Sequence, residues 1–405
     1  AFAKDGRLAI RGLWMRLERP DTDDDTAVAL LVALSLQNPA GVPRAVIDGL
    51  RRLASNGDAG RRRRGALPRA HAVLALARLG DRDAIPLVTT IVRASGQDPN
   101  VRRSAVIALG LLAPSLDGPQ REDLAAVLVD HAKAGEPNTA GLSLIAAARL
   151  VAAEFADGRV SDAALALAGR LGDAADRGTH AVRPFAALAV GLLLRPQGRA
   201  LDDARFVDAR ERALDRLRRT YADDGEDPVL RGAFAIGLGV AADAKAGPLL
   251  AATVAARRGS PDLAAYACAA LGLLGEVPAA SLAVLRAALA DRTSDALRLE
   301  AARALGLLGD ARAIPALVTE LERGGSDTVL ARAVVALGAI RDASAVAPLA
   351  ALARKQGAPD ATHALACAGL GLLADLEEIR SLARLGIDAN YLAGTDSLTE
   401  ALSML

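Results

Sequence analysis

Aromatic side chains are scarce here, with five Phe, three Tyr and one Trp in 405 residues. A core built by this chain must therefore be filled by Ala, Leu and Val, since 52% of the residues are hydrophobic and only 2% aromatic. Ala and Leu are also the strongest helix formers, and small side chains bring packed helices towards the lower end of the roughly 8–10 Å interaxial range. A bias of charge is missing as well. The 49 Lys and Arg nearly balance 48 Asp and Glu, a net charge of +1 that names no partner. No 18-residue apolar run has the flanks of a membrane span, and no signal peptide stands at the start. Ala1 fits a removed initiator Met, a cleaved signal or an arbitrary boundary alike, so the compartment is open. His71, His131, His180 and His363 are the four histidines, and none is followed by Glu. HExxH, a Walker loop, GxSxG and CxxC are all absent, so no catalytic, cofactor-binding or metal-ligating residue is nominated.

What the chain does have is a repeat. The stretch 301–310, reading AARALGLLGD, and the following AIPAL at 313–317 return in weaker copies along nearly the whole sequence. The copies align on Ser35, Ala77, Gly110, Ala148, Gly191, Gly239, Gly272, Gly306, Gly338 and Gly371. Gaps of about 32 to 48 residues between these landmarks match two-helix repeat units, none of which has enough core to fold alone. In the clearest unit the spacing predicts a helix from about Ser294 to Leu308 and a second from about Ala313 to Arg323. Gly309 supplies a left-handed C-terminal cap between them, and Pro315 sits in the first turn of the second helix. Pro86, Pro248 and Pro348 mark similar places. Turns such as Gln97-Asp98-Pro99-Asn100, Glu226-Asp227-Pro228 and 324–327 offer Asp or Ser as N-caps. Cys268 and Cys367 fall at one register place three units apart, too far for a disulfide at about 10 Å per unit, and read as small buried apolar residues.

The pattern Asp98-Pro99-Asn100-Val101-Arg102-Arg103-Ser104-Ala105-Val106-Ile107-Ala108-Leu109-Gly110, with Ile314-Pro315-Ala316-Leu317, resembles HEAT repeats, especially the bacterial HEAT-like kind also found in phycobilin lyases. The resemblance spans about residues 66 to 385. It implies an all-α fold, a right-handed α-α superhelix or HEAT-like solenoid of about ten helical pairs. It also implies an Asp and Arg ladder between units, mapping onto Asp98 with Arg102 and Asp227 with Arg231, with Arg69, Arg183 and Arg298 in the Arg place elsewhere. Ala264, Leu330 and His363 depart from that pattern. Some HEAT-type hydroxylases hold iron through paired His-Glu motifs, and no such pair is present.

Three segments bound the repeat. Residues 1–65 form an irregular first repeat in which 38–66 insert Pro, Gly and the basic cluster Arg51, Arg52, Arg61, Arg62, Arg63 and Arg64, a candidate anion-binding loop. Residues 66–385 form the solenoid, interrupted at 195–227 by a charged helix from Leu201 to about Tyr221. Residues 386–405 read as a C-terminal cap, with 397–405 as a short amphipathic helix.

The first helix of most units is apolar on every side, as in Leu263–Gly275, and such a helix is normally buried all round. In HEAT-like stacks it lines the concave face. Ile107, Leu188, Ile236, Arg303 and Val335, with Ala269, are the candidate partner-binding positions there. The sequence thus points to a non-enzymatic scaffold that binds another protein, or a second copy of itself, through that face or the insertions. One alternative is a chromophore or cofactor lyase-like subunit in which Arg183, Arg231 or Arg298 meets acid groups. Another is an anionic surface or nucleic acid at Arg51–Arg64, which the nine aromatic residues make the lesser reading of the partner.

Overall fold

Segments such as Leu263–Leu273 carry apolar side chains nearly all round, so each needs cover from several neighbours. The computed structural model covers them by setting first helices side by side, with second helices packed on the first helices that follow them. It describes residues 2–374 apart from 60–61, 135, 157, 197–199, 257–259, 292, 324–326 and 358–359. Arg61 and the cap read at 386–405 lie outside the described residues. The chain divides into two compact units, which among the described residues hold 2–189 with 200–209, and 190–196 with 210–374.

The first unit opens with α1 (Phe2–Leu17) and α2 (Asp24–Ser35). Next comes α3 (Arg44–Asn56), where the Pro- and Gly-bearing stretch 38–66 reads as irregular. The helix forms because Val46, Leu50, Leu53 and Ala54 make one buried stripe, and the Trp14 ring rests on Gly49. A short antiparallel ribbon, β1 (Asp58–Ala59) with β2 (Arg62–Arg63), sets Asp58 opposite Arg63. Then follow α4 (Ala66–Arg78), α5 (Ile85–Arg93), α6 (Pro99–Leu111), α7 (Gly118–Ala134), α8 (Pro137–Ala156) and α9 (Asp162–Arg177). Helices α2, α4, α6 and α8 lie against one another in order, and α3, α5 and α7 each pack on the first helix that follows.

Two helices, α10 (Arg183–Leu193) and α11 (Ala204–Ala222), hold residues of both units. The charged segment is thus helical from Ala204, after a tight turn at Ala200–Asp202. The second unit continues with α12 (Pro228–Val240), α13 (Gly247–Ala256), α14 (Pro261–Leu273), α15 (Ala279–Leu289), α16 (Asp295–Leu307) and α17 (Ile314–Arg323). It ends in α18 (Asp327–Ile340), α19 (Val346–Ala353) and α20 (Asp360–Ala374). Here α12, α14, α16, α18 and α20 stack as first helices, while α13, α15, α17 and α19 cross behind them.

Close approach explains the landmark glycines. A Cβ added at Gly272 would stand 2.7 Å from Ala304 Cα, at Gly306 2.9 Å from Ala336 Cα, and at Gly110 3.1 Å from Ala146 Cα. The residue two places before each landmark is always Ala or Gly, from Ala33 through Ala146, Gly237, Ala270, Ala304 and Ala336 to Gly369. At Ala146, Gly237, Ala270, Ala304 and Ala336 that small row is the surface the preceding landmark glycine touches. The pattern is a packing code for thin layers.

Helix ends obey the same register. Asp98 accepts hydrogen bonds from the Asn100 and Val101 N–H groups at 2.9 and 3.3 Å, and Ser294 from Leu297 N–H at 3.2 Å. After α16 the chain turns at Gly309 (φ +65°) and Asp310 N–H donates to Leu305 O at 3.0 Å, closing the last turn. Gly80 repeats this, but Ala242 (φ +52°) and Arg341 (φ +53°) occupy the same place with a Cβ in the left-handed region.

The charge ladder differs from the one that the resemblance implies. Asp98 spends its carboxylate on the cap, and Arg102 instead donates to Ala94 O at 2.7 Å, at the end of the preceding helix. Arg183 donates likewise to Ala175 O at 2.9 Å and Arg231 to Tyr221 O at 2.9 Å. Even His363 reaches Lys355 O at 2.8 Å, so this place keeps its contact without Arg. Three ion pairs between helices have their acid four residues after a landmark: Asp81 with Arg51, Asp243 with Arg218 at 2.9 Å, and Asp310 with Arg286 at 2.6 Å.

Candidate interaction face of the first helices

The directions in which a first helix meets its neighbours leave one face over. Landmark residues and those seven before them point to the next first helix: a Cβ at Gly272 would meet Ala304, and one at Gly232 would meet Tyr266. The leucines just before the landmarks, such as Leu109, Leu271 and Leu305, are fully buried with the second helices. Successive residues turn by about 100°, so the tenth, sixth and third residues before a landmark and the first after it share the remaining side.

In the first unit that side carries Leu67, His71, Leu74 and Arg78 on α4, then Asn100, Ser104, Ile107 and Leu111 on α6, then Asn138, Leu142, Ile145 and Arg149 on α8. In the second it carries Glu300, Arg303 and Leu307 on α16, Arg332, Val335 and Ala339 on α18, and Leu365, Ala368 and Leu372 on α20.

The structure places the predicted positions unevenly. Ile107, Leu188 and Ile236 are 5%, 7% and 3% exposed, and Ala269 is buried too. The closeness of neighbouring first helices covers them with their own repeats. Arg303 is 7% exposed, and its Nε donates to Glu300 Oε2 at 2.9 Å. Val335, at 43%, does reach water. Further exposed or half-buried residues of this face, outside the nominated positions, include Leu67, Leu111, Arg149 and Leu372. All but Leu67 sit one place after a landmark, a row that runs Leu36, Arg78, Leu111 and Arg149 and was visible in the alignment.

The basic cluster is split by the fold. Arg64 is enclosed, and its guanidinium donates to Leu17 O at 2.5 Å and to Thr22 O. Arg51 is taken up by Asp81, Asp83 and Asp48. Asp81 holds the Arg51 guanidinium well above its ordinary pKa. Neither guanidinium is turned to a phosphate. Arg52 and Arg63 are exposed, with Arg63 Nε bonded to Asn56 O at 3.0 Å, while Arg62 contributes its backbone to β2. Arg183, Arg231 and Arg298, the acid-group readers of the lyase alternative, are engaged by the stack itself, Arg298 through Asp295 and Glu320.

Three groups in the first unit are electrostatically perturbed. Burial, then the Arg78 charge, lowers the His71 pKa below 6.5, and burial with Arg102 does the same to His131. Burial raises the Glu154 carboxyl above its ordinary range despite the Ser161 hydroxyl donating to it at 3.1 Å. Cys268 is buried, whereas Cys367 at the equivalent place is exposed on α20, against the expectation of two buried thiols. Among the described residues no cluster of three or more His, Cys, Asp or Glu is placed to hold a metal ion, and no helix is long and apolar enough to cross a membrane.

Comparison with known proteins bears on the fold. Residues 66–149 and 252–323 match the family model of HEAT repeats. No curated protein matches the sequence. Human deoxyhypusine hydroxylase, solved in complex with glycerol, is 19% identical over 83% of this chain and 97% of its own, with a TM-score of 0.33. The Escherichia coli protein YibA is 16% identical over 87% of this chain and 98% of its own, with a TM-score of 0.34. At these scores neither likeness carries an argument about what this chain does.

Proposed function

We propose that this chain, a helical repeat protein with HEAT repeats at 66–149 and 252–323, is a scaffold that binds a partner protein through the uncovered parts of its first-helix face. The observation that carries this reading is where large apolar side chains meet water. Of the nine exposed large apolar residues among those described, four fall in the first-helix register: Leu36 and Leu67 in the first unit, 54% and 46% exposed, and Val335 and Leu372 in the second, 43% and 41%. Covering a leucine fully is worth about 1.5–3 kcal/mol, and rigid helices hold these side chains ready, which lowers the ordering cost of binding.

Leu36→Glu with Leu67→Glu, and separately Val335→Glu with Leu372→Glu, test it in quantitative affinity capture. Circular dichroism should be unchanged in both, because the sites are exposed. A protein bound stoichiometrically by the native chain should be lost from one pair. Retention by both pairs, with loss from Arg52→Ser and Arg63→Ser, sinks the face reading and moves the site to the loop before α4.

A further inference from the structure

Two cations on this face, Arg149 on α8 and Arg332 on α18, have no counterpart among the described residues, and burial lowers the pKa of the first. Arg149 makes no hydrogen bond or ion pair among the described residues, yet it stands in a helix where every other residue from Thr139 to Leu150 is buried. It is itself half-buried. Other arginines in comparable surroundings are answered: Arg303 by Glu300, Arg51 by Asp81 and Arg218 by Asp243. The shared face of α4, α6 and α8 has no Asp or Glu, and its other full cation, Arg78, has only a 3.4 Å hydrogen bond to Ser35 Oγ. Leu67 and Leu111 supply uncovered apolar surface on the same side.

We propose that the face of α4, α6 and α8 takes an acidic, leucine-bearing segment of a partner protein, with a carboxylate of that segment paired to Arg149. The inference rests on the reading of this face as a partner-binding surface and names the chemistry of what binds. Burial lowers the Arg149 pKa with no carboxylate to offset it, so an arriving acid would find a guanidinium already stripped of much of its water. A planar guanidinium meets a carboxylate through two parallel hydrogen bonds, which fixes orientation as well as charge. A phosphodiester strand has no side chains to cover Leu67 and Leu111. Arg78 and Arg149 are two repeats apart, about 20 Å at ~10 Å per repeat. An extended peptide covers that span in roughly six residues.

The test uses the full chain and a fluorescein-labelled peptide with two glutamates six residues apart and leucines between, beside the same peptide with glutamines. Fluorescence anisotropy should show the glutamate form bound about tenfold more tightly, the equivalent of ~1.4 kcal/mol. Arg149→Gln should erase that preference, and Arg52→Gln should leave it intact. Arg149→Met, which removes an unanswered charge, should hold or raise the melting temperature.

Equal binding of the two peptides, abolished by Leu36→Glu with Leu67→Glu, would overturn the acidic partner and leave the scaffold face standing. Failure of both peptides to bind would overturn the inference, with the capture experiment still deciding the face. A preference that survives Arg149→Gln would overturn it, as would a clear fall in melting temperature for Arg149→Met. Displacement of the peptide by poly-uridine, lost in Arg149→Gln, would overturn it in favour of nucleic acid.

Discussion

Arg149 in the first unit and Arg303 in the second lie one helical turn apart in register on the same side of their helices, and the fold treats them in opposite ways. Arg303 has Glu300 three residues before it, where an α-helix brings side chains together. Arg149 has Ala146 and Ile145 in the corresponding places, neither of which can accept a hydrogen bond through its side chain. At Arg303 the second unit thus balances the charge within one helix, while Arg332 on α18 has no such partner among the described residues. The first leaves a cation to be answered from outside. The repeat dictates where a side chain points and leaves its chemistry to each copy.

The largest way to break the comparison is to remove a balancing acid from the ladder. Asp243→Ala takes two hydrogen bonds from Arg218, which keeps Glu211, and should cost about 3 kcal/mol in urea unfolding. Glu300→Ala puts Arg303 closer to the condition of Arg149, and the loss should be about 1.5–3 kcal/mol, read in the same way. If Glu300→Ala is instead neutral, pairing is not what separates the two helices. Packing sharpens the contrast next: Gly272→Ala drives a methyl into Ala304 and should cost about 1–3 kcal/mol. Gly371→Ala meets nothing within 4 Å among the described residues and should gain up to about 1 kcal/mol from helix propensity. Ala242→Gly relieves a left-handed backbone and should add about 1 kcal/mol.

The smallest expected effect is in pH, and it belongs to the first unit. His71 and His131 have folded pKa values below 6.5, so the unfolded chain takes protons that the folded chain resists. Their contribution is whole above about pH 6.5 and falls as pH drops through the window beneath it. Urea midpoints at pH 7.5 and 5.5 should show that decline, and His71→Gln should flatten part of it.

Much of the fold was legible in the residues. Ser294, Gly309 and Pro315 mark the limits of α16 and α17 to within a residue or two, because caps and turns depend on local chemistry. The landmark glycines and the small row two places before them announce close helix approach. The insertion at 38–66 was harder, since its Pro and Gly obscure a 13-residue helix whose buried stripe only Trp14 and its neighbours make sense of. Of the positions nominated for the interaction face, Ile107, Leu188 and Ile236 are covered while Val335 is exposed. Ile107 and Ile236 are as apolar as Leu111 and Leu372, and composition has no way to tell which of them a neighbour covers.

By itself, then, the sequence determined that this protein is a stack of helical pairs, where the helices of its clearest unit start and stop, and which positions must be small. Those properties arise within a few residues of chain or from a spacing that repeats. Only the tertiary structure decided which apolar side chains meet water, which arginines are answered and that Arg64 is enclosed. Burial and pairing depend on groups about one repeat away, and a helix that is apolar all round bears no mark of the side its neighbours leave open.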